Sequence, residues 1–214
     1  MPDKAVTIIL FGPSARLGIP ALGEVWTLNR CYDILPDEIM QYVARVFEPH
    51  QTAELRDIKA ADGKPHIHHL DALGKQGRRI IMQQPHPEIA NSEAFPLAAI
   101  QARYPGCMFS GGEQFLLAMA IYEGYTHIRL IGMDLSDMLH SSHREGAMYW
   151  LGIGAGQGVQ YSGSLRMLNR YEQIYGYDYG GYGDRKWTDY MYDLIFEPFP
   201  FVVKMKHETW MPVK

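Results

Sequence analysis

Two short stretches of the chain place histidines and acidic side chains where they could transfer protons. "FEPHQ" brings Glu48 and His50 directly after a strand-like run, and "DLSDMLHSSHREG" brings His140, His143 and Arg144 after another. Histidine suits a general base near neutral pH, and arginine suits the binding of a phosphate. Glu48, His50, His143 and Arg144 are therefore the catalytic candidates for a group transfer from a phosphate, with His140 as a further candidate base.

Two glycine-containing turns are candidate phosphate sites. "IILFGPSARLG" ends a buried strand and "MFSGGEQ" precedes a helix, and the free N–H groups at a helix start favour phosphate. Plain N-caps would explain the serines, but two adjacent glycines cost helix stability and call for another reason. Glu113 could complete the second cap or reach a ribose hydroxyl. The candidate binding residues are Gly12, Pro13, Ser14, Ser110, Gly111, Gly112 and Glu113.

Metal binding has weaker support in the sequence. Asp134 ends a strand and could bind a ribose or, with Asp137, a divalent ion such as Mg²⁺. "HIHH", residues 66–69, suggests zinc, but neither a cysteine nor a fourth ligand stands at the usual spacing. We expect this stretch to be a polar loop, and we assign no metal site.

Short apolar runs alternate with helix-period stretches, which predicts an α/β fold: a Rossmann-like, mostly parallel sheet with helices on both faces. A short helix is expected from about Asp37, a helical turn capped by Asn91 or Ser92, and a longer helix over "GGEQFLLAMAIYEG" that ends at Gly124. The predicted strands are Ala5–Phe11, Glu24–Asn29, Ala44–Glu48, Arg79–Gln83, Gly106–Phe109, Thr126–Asp134 and Val159–Tyr161.

The run "GIGAGQG", residues 152–158, is rich in glycine but stands in the wrong order for a phosphate loop, which needs a strand before it and a helix after it. A helix predicted over Arg144–Gly156 precedes this run, and a strand follows it. Gly152 and Gly154 are expected where the helix packs closely against a neighbour. Gly156 or Gly158 is expected to end the helix.

The domain organisation follows from composition. Residues 1–168 are predicted to form a nucleotide-binding domain, within which the polar segment 49–79 is a loop or lid. Residues 169–214 form a Tyr/Gly-rich C-terminal extension, in which the stretch 171–192 holds seven of the chain's fourteen tyrosines. Such a segment could pack on the domain or mediate a homo-oligomer.

Composition narrows the class of protein. The net charge of -4 lacks the basic excess of nucleic-acid-binding proteins, so DNA remains a possible partner without support from charge. The two cysteines do not form a disulfide framework and are expected to be free buried thiols. With neither a secretory pattern nor a membrane-spanning run, we expect a soluble, cytoplasmic protein without a membrane partner.

The order of these motifs resembles a Rossmann-like superfamily that contains the bacterial lipooligosaccharide sialyltransferases and the proteins related to 6-hydroxymethylpterin diphosphokinase. It is most similar to phage and prophage members of that superfamily. The likeness covers roughly residues 5–165. The matching segments are Phe11–Ser14, Asn29, Ser110–Gly111, Ala120–Ile128, Gly132–Asp134, His140–Arg144 and Met148–Val159.

The resemblance implies a nucleotide bound between Gly12–Ser14, Asn29 and Ser110–Gly112, which in the sialyltransferases is a cytidine monophosphate sugar. Two departures argue against sialyl transfer itself. Leu135 and Ser136 stand where the sialyltransferases have tyrosines, and the stretch 160–164 lacks their base histidine.

The resemblance and the candidate residues together predict a nucleotide-sugar-dependent glycosyltransferase of phage or prophage type. Its donor substrate would be a sugar nucleotide, and its acceptor a small molecule, a glycan or a modified nucleobase. A pterin-type diphosphokinase that uses ATP and Mg²⁺ is one alternative. A non-catalytic nucleotide-fold binding protein, with the tyrosine-rich tail as its interaction surface, is the other.

Overall fold

The computed structural model describes residues 4–10, 23–51, 53–133 and 141–163, the side chains of the last segment from residue 143. Within these segments, seven strands form one sheet, and every pairing between neighbours is parallel. The strands are β1 (Ala5–Ile9), β2 (Glu24–Leu28), β3 (Val43–Glu48), β4 (Arg79–Met82), β5 (Ser92–Ala94), β6 (His127–Ile131) and β7 (Gln160–Gly163). The predicted α/β class is confirmed.

The sheet order is β5-β4-β3-β2-β1-β6-β7, so the chain builds outward from β1 in one direction and then returns to build in the other. Because parallel crossovers are almost always right-handed, this order is the one expected to place helices on opposite faces of the two halves. The helices are α1 (Asp37–Met40), α2 (His66–Lys75), α3 (Leu97–Arg103), α4 (Glu113–Tyr122) and α5 (Ser141–Gly156), with single 3-10 turns at Asn29–Asp33 and Glu54–Arg56.

Apolar residues on the inner strands and on α4 form the core. Ile8 of β1 pairs in register with Trp26 of β2 and Leu130 of β6, and all three are fully buried. Burial on both faces of a parallel sheet explains why β1 and β2 are buried without a break after their first residue. β6 instead begins with alternation, because His127 and Arg129 are only half-buried. Within the described residues, no helix is long and apolar enough to cross a membrane.

Residues 91–109 fold differently from the prediction. Ser92–Ala94 form edge strand β5 instead of a helical turn, and α3 begins only after Pro96. Asn91 adopts a φ of 55° and bonds the backbone of Gly77 and Arg78 through its side chain. β5 therefore occupies the edge of the sheet beside β4.

The predicted strand Gly106–Phe109 is absent from the sheet. These residues form a turn and an extended segment instead. The Trp150 indole donates to the Met108 carbonyl at 2.8 Å, and the Phe109 ring packs on Phe115 and Trp150. Contacts with the helices therefore fix this segment.

The polar segment 49–79 contains more helix than its sequence suggests. "HIHH" forms the first turn of α2 rather than a loop, because His66, Ile67, Leu70 and Gly74 share its buried face. Leu55 in the preceding 3-10 turn is also fully buried. The segment is anchored to the core, and its role as a lid stays a prediction.

The glycine run ends helix α5, as expected. Gly156 is the last helical residue, and Gly158 follows with a φ of 84° that favours glycine. A side chain at Gly154 would collide with the Tyr161 hydroxyl, so this glycine does permit close packing. Gly152 does not, because it is exposed with open space around it.

Helix α2 packs closely against Ala90 at Gly74, because a methyl group on Gly74 would collide with the Ala90 carbonyl. We expect Gly74→Ala to cost about 1–3 kcal/mol of unfolding free energy through overpacking. The matched variant Gly152→Ala, at an open helical position, is expected to stabilise by about 0.5–1 kcal/mol. Thermal unfolding of both variants tests this, and equal melting temperatures would contradict it.

Candidate functional site

The chain reverses its building direction between β1 and β6, and ligands of open parallel sheets bind beyond the carboxyl ends of strands at such a point. Asn29 follows β2 at this edge, and Glu48 is the last residue of β3. Several predicted site residues follow β1 and β6 in sequence but lie outside the described residues: Gly12, Pro13, Ser14, Asp134, Asp137 and His140.

A cavity of about 300 Å³ lies at the ends of β2 and β3. It brings three of the predicted site residues together, Asn29, Glu48 and His50. The full lining is Asn29, Arg30, Asp33, Ile34, Glu48, His50, Ile58 and His66.

The Glu48 carboxylate is the centre of this site and is completely buried. Its Oε1 accepts hydrogen bonds from the His50 backbone N–H at 3.0 Å and from His50 Nδ1 at 2.6 Å. Its Oε2 is hydrogen-bonded to Nε2 of His66, a side chain that is itself buried. Burial tends to raise the pKa of Glu48, but the bonds from both histidines outweigh it and hold the pKa at about 2. Glu48 is therefore an anion throughout the physiological range.

His50 is placed to act as a base. Its bond to Glu48 raises its pKa above the ordinary value of 6.5, although partial burial opposes the shift. Because Nδ1 donates to Glu48, Nε2 carries the lone pair of the neutral ring and makes no hydrogen bond to any described residue. The side chain is 41% exposed, so a substrate hydroxyl can reach it.

His66 and Tyr32 extend the hydrogen-bond network of Glu48. The Tyr32 hydroxyl lies 2.5 Å from Nδ1 of His66, and the Tyr32 ring stacks on the rings of His66 and His69. In the neutral tautomer of His66 whose Nε2 donates to Glu48, Nδ1 accepts from Tyr32. Burial raises the pKa of Tyr32, so it remains a neutral donor. Every proton in this chain of hydrogen bonds points toward Glu48.

The catalytic and binding candidates from the sequence include neither Tyr32 nor His66. The pattern of "HIHH" predicts a polar loop, which hides the role of His66. One signal could have identified His66: it precedes Leu70 and Gly74 at intervals of four residues, which places it on the apolar face of a helix. A histidine on a buried face needs hydrogen-bond partners. The sequence contains no comparable signal for Tyr32.

Asn29 and Asp33 form the polar wall of the cavity. Asn29 has a φ of 49°, a left-handed conformation that asparagine tolerates better than most residues, and its Oδ1 is buried without a hydrogen-bond partner. Asp33 Oδ2 accepts from Arg30 at 2.8 Å and from the Ala61 N–H at 3.2 Å. Its Oδ1 accepts no hydrogen bond from the described residues.

The turn Ser110–Gly112 lies before α4 and differs from its expected form. Gly112, not Ser110, is the N-cap of α4, and Ser110 is instead bonded to the Gln114 side chain through its backbone N–H and its hydroxyl. A methyl group on Gly111 would come within 2.5 Å of Glu113 Oε1 and His143 Nδ1. Two side chains thus cover the turn that the sequence suggested was bare, and their proximity supplies a reason for glycine here.

Glu113 and His143 form an ion-pair contact at 3.5 Å, with Glu113 nearly buried on α4 and His143 on the first turns of α5. Arg144 follows His143 and is half-buried. A methyl group on Gly112 would lie 2.9 Å from the Leu28 side chain. The α4–α5 cluster and the cavity therefore meet at the end of β2, where Asn29 follows Leu28.

Across the described segments, no three His, Cys, Asp or Glu side chains are arranged to hold a metal ion. His66 bonds Glu48 and Tyr32, and His69 bonds Asp62 at 2.9 Å, so both rings have protein partners. Both cysteines are free thiols. Cys31 is buried as expected, whereas Cys107 is only half-buried, contrary to the expectation.

No protein-family model matches the chain, and no curated protein sequence matches it significantly. Several solved structures are similar to the chain in fold. A crystal structure of a mutant α-2,3/8-sialyltransferase CstII is similar at a TM-score of 0.50 and 16% identity, over 75% of this chain and 81% of that one. The apo form of an α-2,3-sialyltransferase from Campylobacter jejuni is similar at a TM-score of 0.48 and 16% identity, over 75% of each chain. CstII from Campylobacter jejuni in complex with cytidine-5'-monophosphate has a TM-score of 0.47 and 16% identity, over 75% of this chain and 79% of that one. The chain therefore has a sialyltransferase-like α/β fold.

Proposed function

We propose that this protein is a nucleotide-sugar-dependent glycosyltransferase in which His50 is the general base and Glu48 orients it. The observation that carries this proposal is the Glu48–His50 pair: a half-exposed imidazole bound through Nδ1 to a buried carboxylate, in a cavity at the carboxyl edge of a parallel sheet. This arrangement leaves Nε2 free to take a proton and stabilises the imidazolium that forms.

In the proposed reaction, Nε2 of His50 removes the proton from an acceptor hydroxyl. The hydroxyl oxygen forms a bond to the anomeric carbon of the donor sugar, and the bond from that carbon to the phosphate oxygen breaks. The electron pair leaves with the nucleotide. The proton remains on His50 beside the Glu48 anion until water removes it. Because the hydroxyl attacks the face opposite the leaving phosphate in one displacement, the proposed transfer inverts the anomeric centre.

The nucleotide would lie beside the cavity, at the chain-reversal point between β1 and β6. We assign to this site Asn29, which follows β2, with Ser110–Gly112 and Glu113 at the start of α4. From the sequence alone we also assign Gly12, Pro13, Ser14 and Asp134, which follow β1 and β6 along the chain. Arg144 is the proposed clamp for the leaving phosphate, with His143 beside it. The acceptor would be a small molecule, a glycan or a modified nucleobase of phage origin.

A thermal-shift screen in EDTA tests the proposal. Sugar nucleotides based on cytidine monophosphate and uridine diphosphate are expected to raise the melting temperature. Ligand at 100 times its Kd adds about 2.7 kcal/mol of stability, and a chain of this size gains about 2–4 °C for each kcal/mol. Stabilisation only by ATP with Mg²⁺ would favour a pterin-type diphosphokinase instead. A flat response to every nucleotide would overturn nucleotide binding altogether.

A further inference from the structure

We infer that the cavity at the ends of β2 and β3 is an acceptor subsite that takes a neutral, hydroxyl-rich group the size of one sugar ring. This inference rests on the proposed glycosyl transfer and names the class of acceptor. The volume of about 300 Å³ is at the lower end of the range for small-molecule pockets, about 300–1,000 Å³. Such a cavity suits one ring better than a whole sugar nucleotide.

The hydrogen-bonding groups of the cavity indicate a ligand that donates. Two residues of the lining each carry an acceptor oxygen that receives no hydrogen bond from the described residues: the buried Oδ1 of Asn29 and the Oδ1 of Asp33. An unmade hydrogen bond at a buried polar atom costs free energy, which a ligand donor would recover. The free Nε2 of His50 is a third acceptor. Sugar hydroxyls donate to all three, whereas a phosphate or carboxylate anion does not.

At a pH above the pKa of His50, where that ring is neutral, the charged groups that line the cavity disfavour an anion. Asp33 and Glu48 contribute two carboxylates, and Arg30 contributes one guanidinium that is already paired with Asp33 at 2.8 Å. Like charge in a partly desolvated space is unfavourable. Ile34 and Ile58 supply apolar surface for the C–H face of a sugar ring. Asp33 is therefore the residue that discriminates against anionic acceptors, while the nucleotide phosphate lies elsewhere.

Saturation-transfer NMR on the full chain tests the subsite with matched probes. Methyl β-glucoside and methyl β-galactoside are compared with the corresponding methyl uronides, which differ in a carboxylate at C6. We expect a neutral glycoside to bind at about 10 mM or below, and its uronide at least about tenfold more weakly because of repulsion by the carboxylates. Failure of both neutral glycosides to bind, or equal binding of a uronide, would overturn the inference.

Two variants locate the binding. Ile58→Trp fills the cavity and should abolish the glycoside signal, whereas Ile39→Trp, at a half-buried position outside the lining, should keep it. Asp33→Asn should reduce the discrimination against the uronide to less than about threefold, and Asp57→Asn, an exposed acid outside the lining, should not. A glycoside signal that survives Ile58→Trp would overturn the inference.

Nucleotide thermal shifts on the same samples separate this inference from the proposed function. If nucleotides stabilise the chain but glycosides do not occupy the cavity, only the acceptor subsite is wrong. If neither class binds, the glycosyltransferase proposal falls as well.

Discussion

Replacement of His50 by alanine is expected to lower kcat for glycosyl transfer by about 10²–10⁴-fold, the usual contribution of a general base. The acceptor hydroxyl would then attack without a group to take its proton. In the proposed site the donor lies on the other side of the end of β2, away from His50. Loss of the His50 side chain therefore removes no donor contact, and the donor KM should change by less than about twofold. Initial rates with the donor identified by thermal shift measure both constants.

His68→Ala is the matched control for this variant. His68 is an exposed histidine on α2 outside the cavity lining, so its loss should leave kcat unchanged. Retention of more than half of the activity by His50→Ala would show that another group, such as His143, is the base. Equal losses in both variants would indicate damage to α2 and its surroundings rather than loss of a base.

The pH profile gives a further consequence for His50. The base must be neutral to accept a proton, so activity is lost as pH falls through its pKa. Its bond to Glu48 raises that pKa, and the acidic limb of kcat/KM should therefore lie above the ordinary histidine value of 6.5. A limb below that value would show that this hydrogen bond does not control the reacting group.

The sequence predicted the strands well because burial leaves a strong pattern. β1 and β4 are short, mostly apolar runs, whereas β3 and β6 are each interrupted by one arginine. All four lie where the sequence predicts a strand. The same pattern placed Glu48 and His50 at the carboxyl edge, because a residue that ends a parallel strand must lie there. Edge strand β5 carries no such pattern, since its three residues are not buried.

The hydrogen-bond partner His66 of Glu48 and the packing around Gly111 cannot be predicted from the sequence, for a different reason. Glu48 and His66 are 18 residues apart, and α2 brings them together only by docking its apolar face onto the sheet. Likewise, Gly111 is covered by His143 of a later helix. A glycine pair before a helix can mean an open phosphate site or a close side-chain contact, and only the tertiary structure separates the two.

Glu48→Gln is expected to weaken both the reaction and the fold. The amide keeps the volume of the side chain but removes the negative charge that His50 and His66 share. Its NH₂ group, which cannot accept a hydrogen bond, then faces a donor of His50 or of His66. We expect a loss of about 2–4 kcal/mol in unfolding free energy, typical of hydrogen bonds to a buried charged group. Without the anion, the pKa of His50 falls, so the acidic limb of the remaining activity should move to lower pH.

The loss of stability should itself depend on pH. The pKa of Glu48 is about 2 in the folded chain, below its ordinary value of 4.5, so the anion stabilises the fold above that ordinary value and this stabilisation is lost as pH falls toward 2. Denaturant unfolding at pH 6.5 and pH 3 should show the wild-type advantage over Glu48→Gln shrinking at the lower pH. The exposed control Glu38→Gln should show little difference at either pH. A difference in unfolding free energy that stays constant or widens toward pH 3 would mean that His50 and His66 do not hold Glu48 as an anion. The assignment of His50 as the base would then lose its physical support.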